Sequence, residues 1–479
     1  MAEAKYIVVI DMETSRFVGM VGKKNEDGTV SVVTAEEENA GDSVRRGNVY
    51  HRESTGMSMK RLVEKLKNKM ADKLPDYRIE KVYVGVGGQS LHSIGHVETK
   101  HLSLGATVSE NDLRTLDEQC RAFRPEMDVA GIAPPVYYVD GKRVEQPKGL
   151  PGGQIEARYK LIVGRPVRNQ VAGCMELARL PLAGLIVSPL ALAGATLGRE
   201  EKEAGCVQIG FHAGVTSVAV YRQGTLAHLS VIPLSLQLIT GDLMKTLNLS
   251  EPDAEWLKTT YGLSLAGKGT NADREKITID GREIDPERLN ALIEGRVKEI
   301  VENVYKQVEL TGDMASLGAG IVLAGRASGL KKLPELLQQR FKMEVSYATV
   351  REEYLERNSD RIGSNPDYMT AVSLLIQATE NCLQYIPPFV PEPIVLPEGG
   401  KDPLDPFGGS SGRKGGKGGK GGKGESGGKD EREGEDDRGG LNKLIETIKK
   451  IGKGNIDVFN DKEWETGKTK KPKENEYGK

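Results

Sequence analysis

Cysteine is scarce in this sequence: Cys120, Cys174, Cys206 and Cys382 are the four in 479 residues. They lie far apart and form no C-x-x-C pair, which argues against a disulfide frame and against a zinc site. Net charge is lacking as well. Lys and Arg number 67 against 69 Asp and Glu, a balance of −2, so no bulk field attracts nucleic acid and none is expected as a partner. The opening stretch MAEAKYIVVIDMETSR has no basic region followed by an apolar run and a cleavage site, so it does not read as a secretion signal, and a cytoplasmic setting is expected. Residues 180–198, LPLAGLIVSPLALAGATLG, are uncharged and long enough to span a bilayer, which takes about 20 apolar residues. Pro181, Pro189 and three glycines favour another reading, a buried strand at 185–187 and a proline-started helix in a mixed α/β core.

What is present divides the chain in two. The length allows two to four folding units, and 38% hydrophobic residues suffice for real cores ahead of residue 391. Residues 408–440, GGSSGRKGGKGGKGGKGESGGKDEREGEDDRGG, offer nothing apolar to bury, so the entropy of ordering them could not be offset. As a glycine-rich coil this tether reaches on the order of 30 Å. It leads into LNKLIETIKKI at 441–451, where Leu441, Leu444, Ile445, Ile448 and Ile451 share one face of a helix of about 3.6 residues per turn. Lys443, Lys449, Lys450 and nearby Lys453 stand against the single Glu446, a local charge of +3 suited to anionic lipid. Ile456, Val458, Phe459 and Trp464 extend the apolar contact beyond Gly452 and Gly454. The other reading is a helix that docks back on its own domain.

Burying five Leu or Ile side chains contributes roughly 1.5–3 kcal/mol each, while fixing eleven backbone residues costs roughly 1–2 kcal/mol each. The two nearly cancel. Three positive charges near an anionic surface add about 1 kcal/mol apiece, so one copy binds weakly and reversibly. Several copies in a row bind far more firmly through effective concentration, which points to a protein that forms a polymer or rides on one.

In the body, residues 6–11 (YIVVID) read as an apolar strand that turns at 12–16 and returns along 17–22. Met57, Leu62, Leu66 and Met70 have helical spacing, and a further strand starts near residue 81 and ends at Gly87-Gly88. About 200 residues on the theme repeats, with strands at 206–210 and 215–221 around His212-Ala213-Gly214, then a turn at Gln223-Gly224 into 226–232. Two such hairpins suggest two related lobes whose turns offer backbone N–H groups to phosphate oxygens. His92, His96 and His101 form H-x3-H-x4-H in strand-like surroundings and carry little weight as metal ligands. Gly85-Val86-Gly87-Gly88 resembles a piece of a phosphate loop, but no Lys-Ser/Thr follows.

Seven segments in order carry a family resemblance: V-x-D-x-x-T-S at 9–15, S-V-R-R-G-N-V at 43–49, V-Y-V-G-V-G-G at 82–88, S-E-N-D-L at 109–113, V-I-P-L at 231–234, A-E-W-L-K-x-x-Y-G at 254–262 and I-V-L-A-G at 321–325. With the tether and terminal helix, the chain resembles the FtsA family of actin-like bacterial division proteins over nearly its whole length. The resemblance implies a two-lobe α/β fold of the actin, Hsp70 and sugar-kinase type. It places lobe 1 at 1–81 with 163–195 and 366–390, an inserted small domain at 82–162, the lobe 2 core at 196–245 and 310–365 and a small domain of lobe 2 at 246–309. A disordered linker at 391–440, a membrane-targeting helix at 441–465 and a polar tail at 466–479 complete the plan. Members of the family attach the tubulin-like FtsZ, through its C-terminal tail, to the cytoplasmic face of the cell membrane at the septum. They also polymerise on lipid as peripheral proteins and recruit later division proteins. Arg296, Lys298 and Lys306 on a helix over 292–310 are candidates for meeting the acidic FtsZ tail.

The resemblance also implies ATP between the lobes, and here the sequence departs from the family. The first phosphate turn, Asp11, Met12, Glu13, Thr14, Ser15 and Arg16, carries Glu13 where the family usually has glycine, which adds like charge and bulk. The second turn, with Gly210, Gly214 and Thr216, is two residues longer than the family's and has Gln208 and Ser217 where aspartates ordinarily orient hydrated magnesium. The adenosine turn reads Gly325-Arg326-Ala327 instead of three glycines, while Glu255 and Lys258 remain at the nucleoside contact. ATP is therefore expected to bind weakly or not at all, magnesium is doubtful, and the protein is not expected to be an enzyme, with Arg16 and Arg326 as possible compensating phosphate partners. An ATPase of the chaperone or sugar-kinase branch is the alternative, and a filament scaffold for other cargo is a third reading.

Overall fold

A computed structural model describes residues 5–165, 167–265, 277–279, 281–312, 314–357 and 360–387. The tether and the amphipathic segment lie outside the described residues.

The described body is built on two sheets that repeat one plan. In the first, the strands Lys5–Met12, Arg16–Lys24 and Val30–Asn39 form an antiparallel meander, and Val82–Val86 and then Leu182–Val187 add in parallel on the far side of Lys5–Met12. In the second, Cys206–Phe211, Thr216–Arg222 and Thr225–Ile232 form the meander, and Ile321–Ala324 and Val345–Tyr347 add in parallel beside Cys206–Phe211. A hairpin needs only a tight turn, whereas each parallel neighbour needs a long crossover, and helices fill those crossovers.

The leading strand of each lobe reads as an unbroken apolar run because it is buried on both faces. Ile7, Val8, Val9 and Ile10 are wholly buried, as are Val207, Ile209 and Phe211. Helix Arg52–Ala71 covers the first sheet with Met59, Leu62, Val63, Leu66 and Met70, a stripe at helical spacing. Helices Ser188–Thr196 and Met369–Gln377 pack together beside the same strands. Residues 180–198 thus form a strand and the Pro189-started helix, and among the described residues no helix is long and apolar enough to cross a membrane.

Four further strands extend the second sheet. Their order is Lys142–Val144, Asp128–Val139, Gln154–Gly164 and His92–His101, and the last meets Thr225–Ile232 at the single pair Ser230 and His92. Helix Glu110–Ala122, opened by a reciprocal cap between Ser109 and Asp112, closes a separate small core around Leu116, Ile155 and Leu161. Val82–Val86, which the expected boundary at 82 assigns to the insert, is a strand of the first sheet.

The helix expected over 292–310 begins earlier and runs Pro286–Glu309. Asp285 caps it by accepting the Glu287 N–H at 2.9 Å, and Pro286 supplies a preset first turn. Leu289, Ile293, Val297, Ile300 and Val304 form its buried stripe against the second lobe. His92, His96 and His101 lie on one strand, His96 Nε2 stands 2.7 Å from Glu98 Oε1, and no metal-holding group of three His, Cys, Asp or Glu occurs among the described residues.

Candidate functional site

The two meander turns face each other across the space between the lobes. The first closes when the Glu13 N–H donates to the Arg16 carbonyl at 3.1 Å, and the second when the His212 N–H donates to the Val215 carbonyl at 3.0 Å. Thr14 Oγ1 accepts the Gly47 N–H at 2.9 Å, and the Ser235 hydroxyl donates to the Ala213 carbonyl at 2.6 Å, so each turn is fixed from outside itself. The turns touch. A Cβ placed on Gly214 would stand 2.1 Å from Thr14 Oγ1, so only glycine permits this approach. Gly325 opens the third turn at φ +86°, against the Phe211 carbonyl, and Arg326–Gly329 follows as a 3-10 turn. The side chain of Ala327 is outside the description.

Buried charge gathers at the contact. Asp11 Oδ1 accepts the Ser188 hydroxyl at 3.0 Å. Burial and the neighbouring Glu13 push its carboxyl up to about 7, against His212, the Ser188 hydrogen bond and Arg16. Burial also opposes ionisation of Glu13, but His212 and Arg16 outweigh it and hold that carboxyl below its usual range. Glu13 Oε1 lies 3.8 Å from His212 Nδ1, and its Oε2 lies 3.4 Å from Arg16 Nε. The other guanidinium nitrogens of Arg16 reach Glu37 at 2.7 Å and Asp367 at 3.3 Å, and Arg326 Nε reaches the same Asp367 oxygen at 3.0 Å. Both arginines expected as phosphate partners are therefore already engaged by carboxylates.

The cleft is unequal. Its outer part is a cavity of about 680 Å³ lined by Ser15, Glu255, Lys258, Arg326 and Leu330, with Glu13 at its inner limit. Lys258 Nζ is 2.6 Å from Glu255 Oε2 and 3.0 Å from Thr240 Oγ1, and the Thr240 hydroxyl donates to Glu255. Burial raises the Glu255 carboxyl, but those bonds from Lys258 and Thr240 win and hold it below the ordinary value. At the phosphate end, between Asp11, Thr14, Gly47, Ser188 and His212, only about 20 Å³ remains. That is room for one water.

The remaining candidates divide accordingly. Asp11 and Thr14 line the closed end, whereas Gly210, Gly214 and Thr216 belong to the second turn and its strand ends without lining that space, and the Thr216 hydroxyl donates to the Leu234 carbonyl at 2.7 Å. Gln208 Nε2 donates to Thr196 at 2.6 Å instead of facing a cation. A triphosphate with magnesium therefore does not fit the residues present: the space is closed, the cationic partners are engaged and the acidic orienting groups are replaced. Sequence reasoning missed Ser188, Glu37 and Asp367. His212 stood in the His-Ala-Gly turn without a role, although a histidine facing a glutamate from the opposite turn was a usable signal.

Away from the cleft, the partner candidates are paired: Arg296 with Asp242 and Glu299, Lys298 with Glu294 and Lys306 with Glu309. The membrane candidates Leu441, Lys443, Leu444, Ile445, Ile448, Lys449, Lys450, Ile451, Phe459 and Trp464 lie outside the described residues.

Two lobes of repeated plan with a cleft between their hairpin turns define a protein of the actin and Hsp70 class, whose fold implies a nucleotide-type cleft. Comparison with known proteins narrows the class. A family model described as "Cell division protein FtsA" matches residues 206–373. The cell division protein FtsA of Porphyromonas gingivalis is 30% identical over 385 residues, covering 79% of this chain and 79% of that one. That of Neisseria meningitidis is 29% identical over 387 residues, covering 78% and 90%. A solved PilM-PilN type IV pilus biogenesis complex matches with a TM-score of 0.54 at 15% identity, over 78% of this chain and 98% of that one, a likeness of fold. The chain belongs to the FtsA family, and its role lies in cell division.

Proposed function

We propose that this protein is a membrane-bound adaptor of cell division, which tethers FtsZ filaments to the cytoplasmic face of the membrane at the septum. In this reading it assembles side by side on anionic lipid and brings in later division proteins. The observation that carries it is the pairing of an FtsA-family body with a basic amphipathic segment, 441–451, on a glycine-rich tether that allows the body to stand off a surface. Arg296, Lys298 and Lys306 are candidate contacts for the acidic tail of FtsZ, whose carboxylates would exchange with the acidic partners these cations now hold. No covalent step is assigned to the cleft, and membrane attachment needs none.

The test is sedimentation with anionic vesicles, comparing the full chain with a version ending at Phe407, each with and without FtsZ and ATP–magnesium. The full chain is expected to pellet and to carry FtsZ down whether or not nucleotide is added. Equal pelleting of the two versions would sink the lipid attachment, and pelleting that leaves FtsZ in solution would sink the tether.

A further inference from the structure

A chain of ion-pair contacts runs from the wall of the open cavity to the closed end of the cleft and crosses between the lobes twice. It starts in the second lobe at Arg326, directly after strand Ile321–Ala324, and passes to Asp367 ahead of helix Met369–Gln377 in the first. It continues through Arg16 to Glu13 and returns to the second lobe at His212. A polyphosphate lying between two such turns would be an anion shared by both, held by their backbone N–H groups and nearby cations. Here a carboxylate of one turn meets the imidazole of the other and the guanidinium of Arg16, whose remaining nitrogens already face Glu37 and Asp367. The contact of Thr14 with Gly214 removes the remaining gap.

We propose that this Glu13-centred chain takes the place of a nucleotide's phosphates: it ties the lobes together with no bound polyphosphate and leaves the 680 Å³ cavity as a site for a nucleoside-sized ligand. Two features carry the ligand class. The cavity is closed inward by Glu13, whose negative charge opposes any phosphate that follows the sugar. Its wall carries the Ser15 and Thr259 hydroxyls and the Glu255 carboxylate, a polar set suited to a ligand's hydroxyls, while the Lys258 ammonium is already held by Glu255 and by Thr240 behind the wall. The inference does not depend on the membrane-tether reading, and either can fail alone.

The experiment measures adenosine and ATP–magnesium binding to the full chain by calorimetry, with hydrogen exchange of the turn amides at 13–15 and 213–214. For the unaltered protein, adenosine binds, ATP–magnesium binds no more tightly, and neither changes exchange in the turns by as much as about tenfold. Glu13→Gly, which removes the carboxylate that meets His212 and Arg16, accelerates exchange in both turns by about tenfold or more. Glu13→Gln keeps the length and loses the charge, so it also loosens both turns and serves where the glycine variant fails to fold. ATP–magnesium binding to the unaltered chain about tenfold tighter than adenosine overturns the proposal. No binding of adenosine overturns the ligand class, and unchanged exchange in folded Glu13→Gln overturns the lobe tie.

Discussion

Asp11 illustrates how one buried group makes stability depend on pH. Its carboxyl sits at about 7 in the fold against an ordinary 3.8, so the folded state holds a proton that the unfolded chain releases. Its contribution to stability is fully present below about 3.8 and is lost as pH rises through about 7, an effect on the order of a few kcal/mol. The groups facing it are Glu13, His212 and Arg16, with the Ser188 hydroxyl as its donor. Asp11→Asn keeps an acceptor for Ser188 and carries no charge, so the variant is expected to show a flatter melting temperature between pH 5 and 8 and to exceed the parent at the alkaline end. Parallel curves for the two proteins would contradict this account. Gly214 makes a steric claim at the same scale. Gly214→Ala sets a methyl 2.1 Å from Thr14 Oγ1, and forcing the turns apart is expected to cost roughly 1–3 kcal/mol in denaturant unfolding. Combined with Thr14→Gly, the cost is expected to be clearly less than the sum of the two single changes, since the clash is then removed.

Individual elements were legible where their cause is local. The apolar strands before the two turns, the Pro189-started helix and the stripe Leu62, Leu66 and Met70 follow from neighbours a few residues apart. The start of helix Pro286–Glu309 was also written in the chain, as Asp285 before Pro286, and was overlooked because the apolar pattern further on is stronger. Other features rest on distant residues. Val82–Val86 belongs to the first sheet through parallel pairing with Lys5–Met12, and Asp367 meets Arg16 from 351 positions away, so no local window could have paired them. Glu13 was visible as a departure from the family, but its meaning depends on His212 arriving from the other lobe. For the amphipathic segment the element-scale expectation is direct: Ile448→Asp with Ile451→Asp places two charges on the apolar face and abolishes pelleting with anionic vesicles, while melting of the body is unchanged. Retained pelleting in that variant would mean that lipid is held elsewhere in the chain and would sink the role of this segment.

At the scale of the whole molecule, the proposed attachment through segment 441–451 is expected to depend on number. Apolar burial and backbone ordering in the segment nearly cancel, which leaves about 1 kcal/mol for each of three net charges to hold one copy. On the proposed reading a single protein is expected to exchange readily and a row of them not to, because once one copy is attached its neighbours in the row are held at high effective concentration. The expected isotherm on vesicles rich in anionic lipid is sigmoidal in protein concentration, with little bound until copies begin to associate. Raising salt from about 0.1 M to about 1 M shortens the screening length from about 10 Å to about 3 Å and shifts the midpoint to higher protein. Neutral lipid does the same by removing the partner charge. A hyperbolic isotherm that keeps its midpoint in high salt would mean that each copy holds the membrane alone through apolar contact, and attachment would then need no polymer at all.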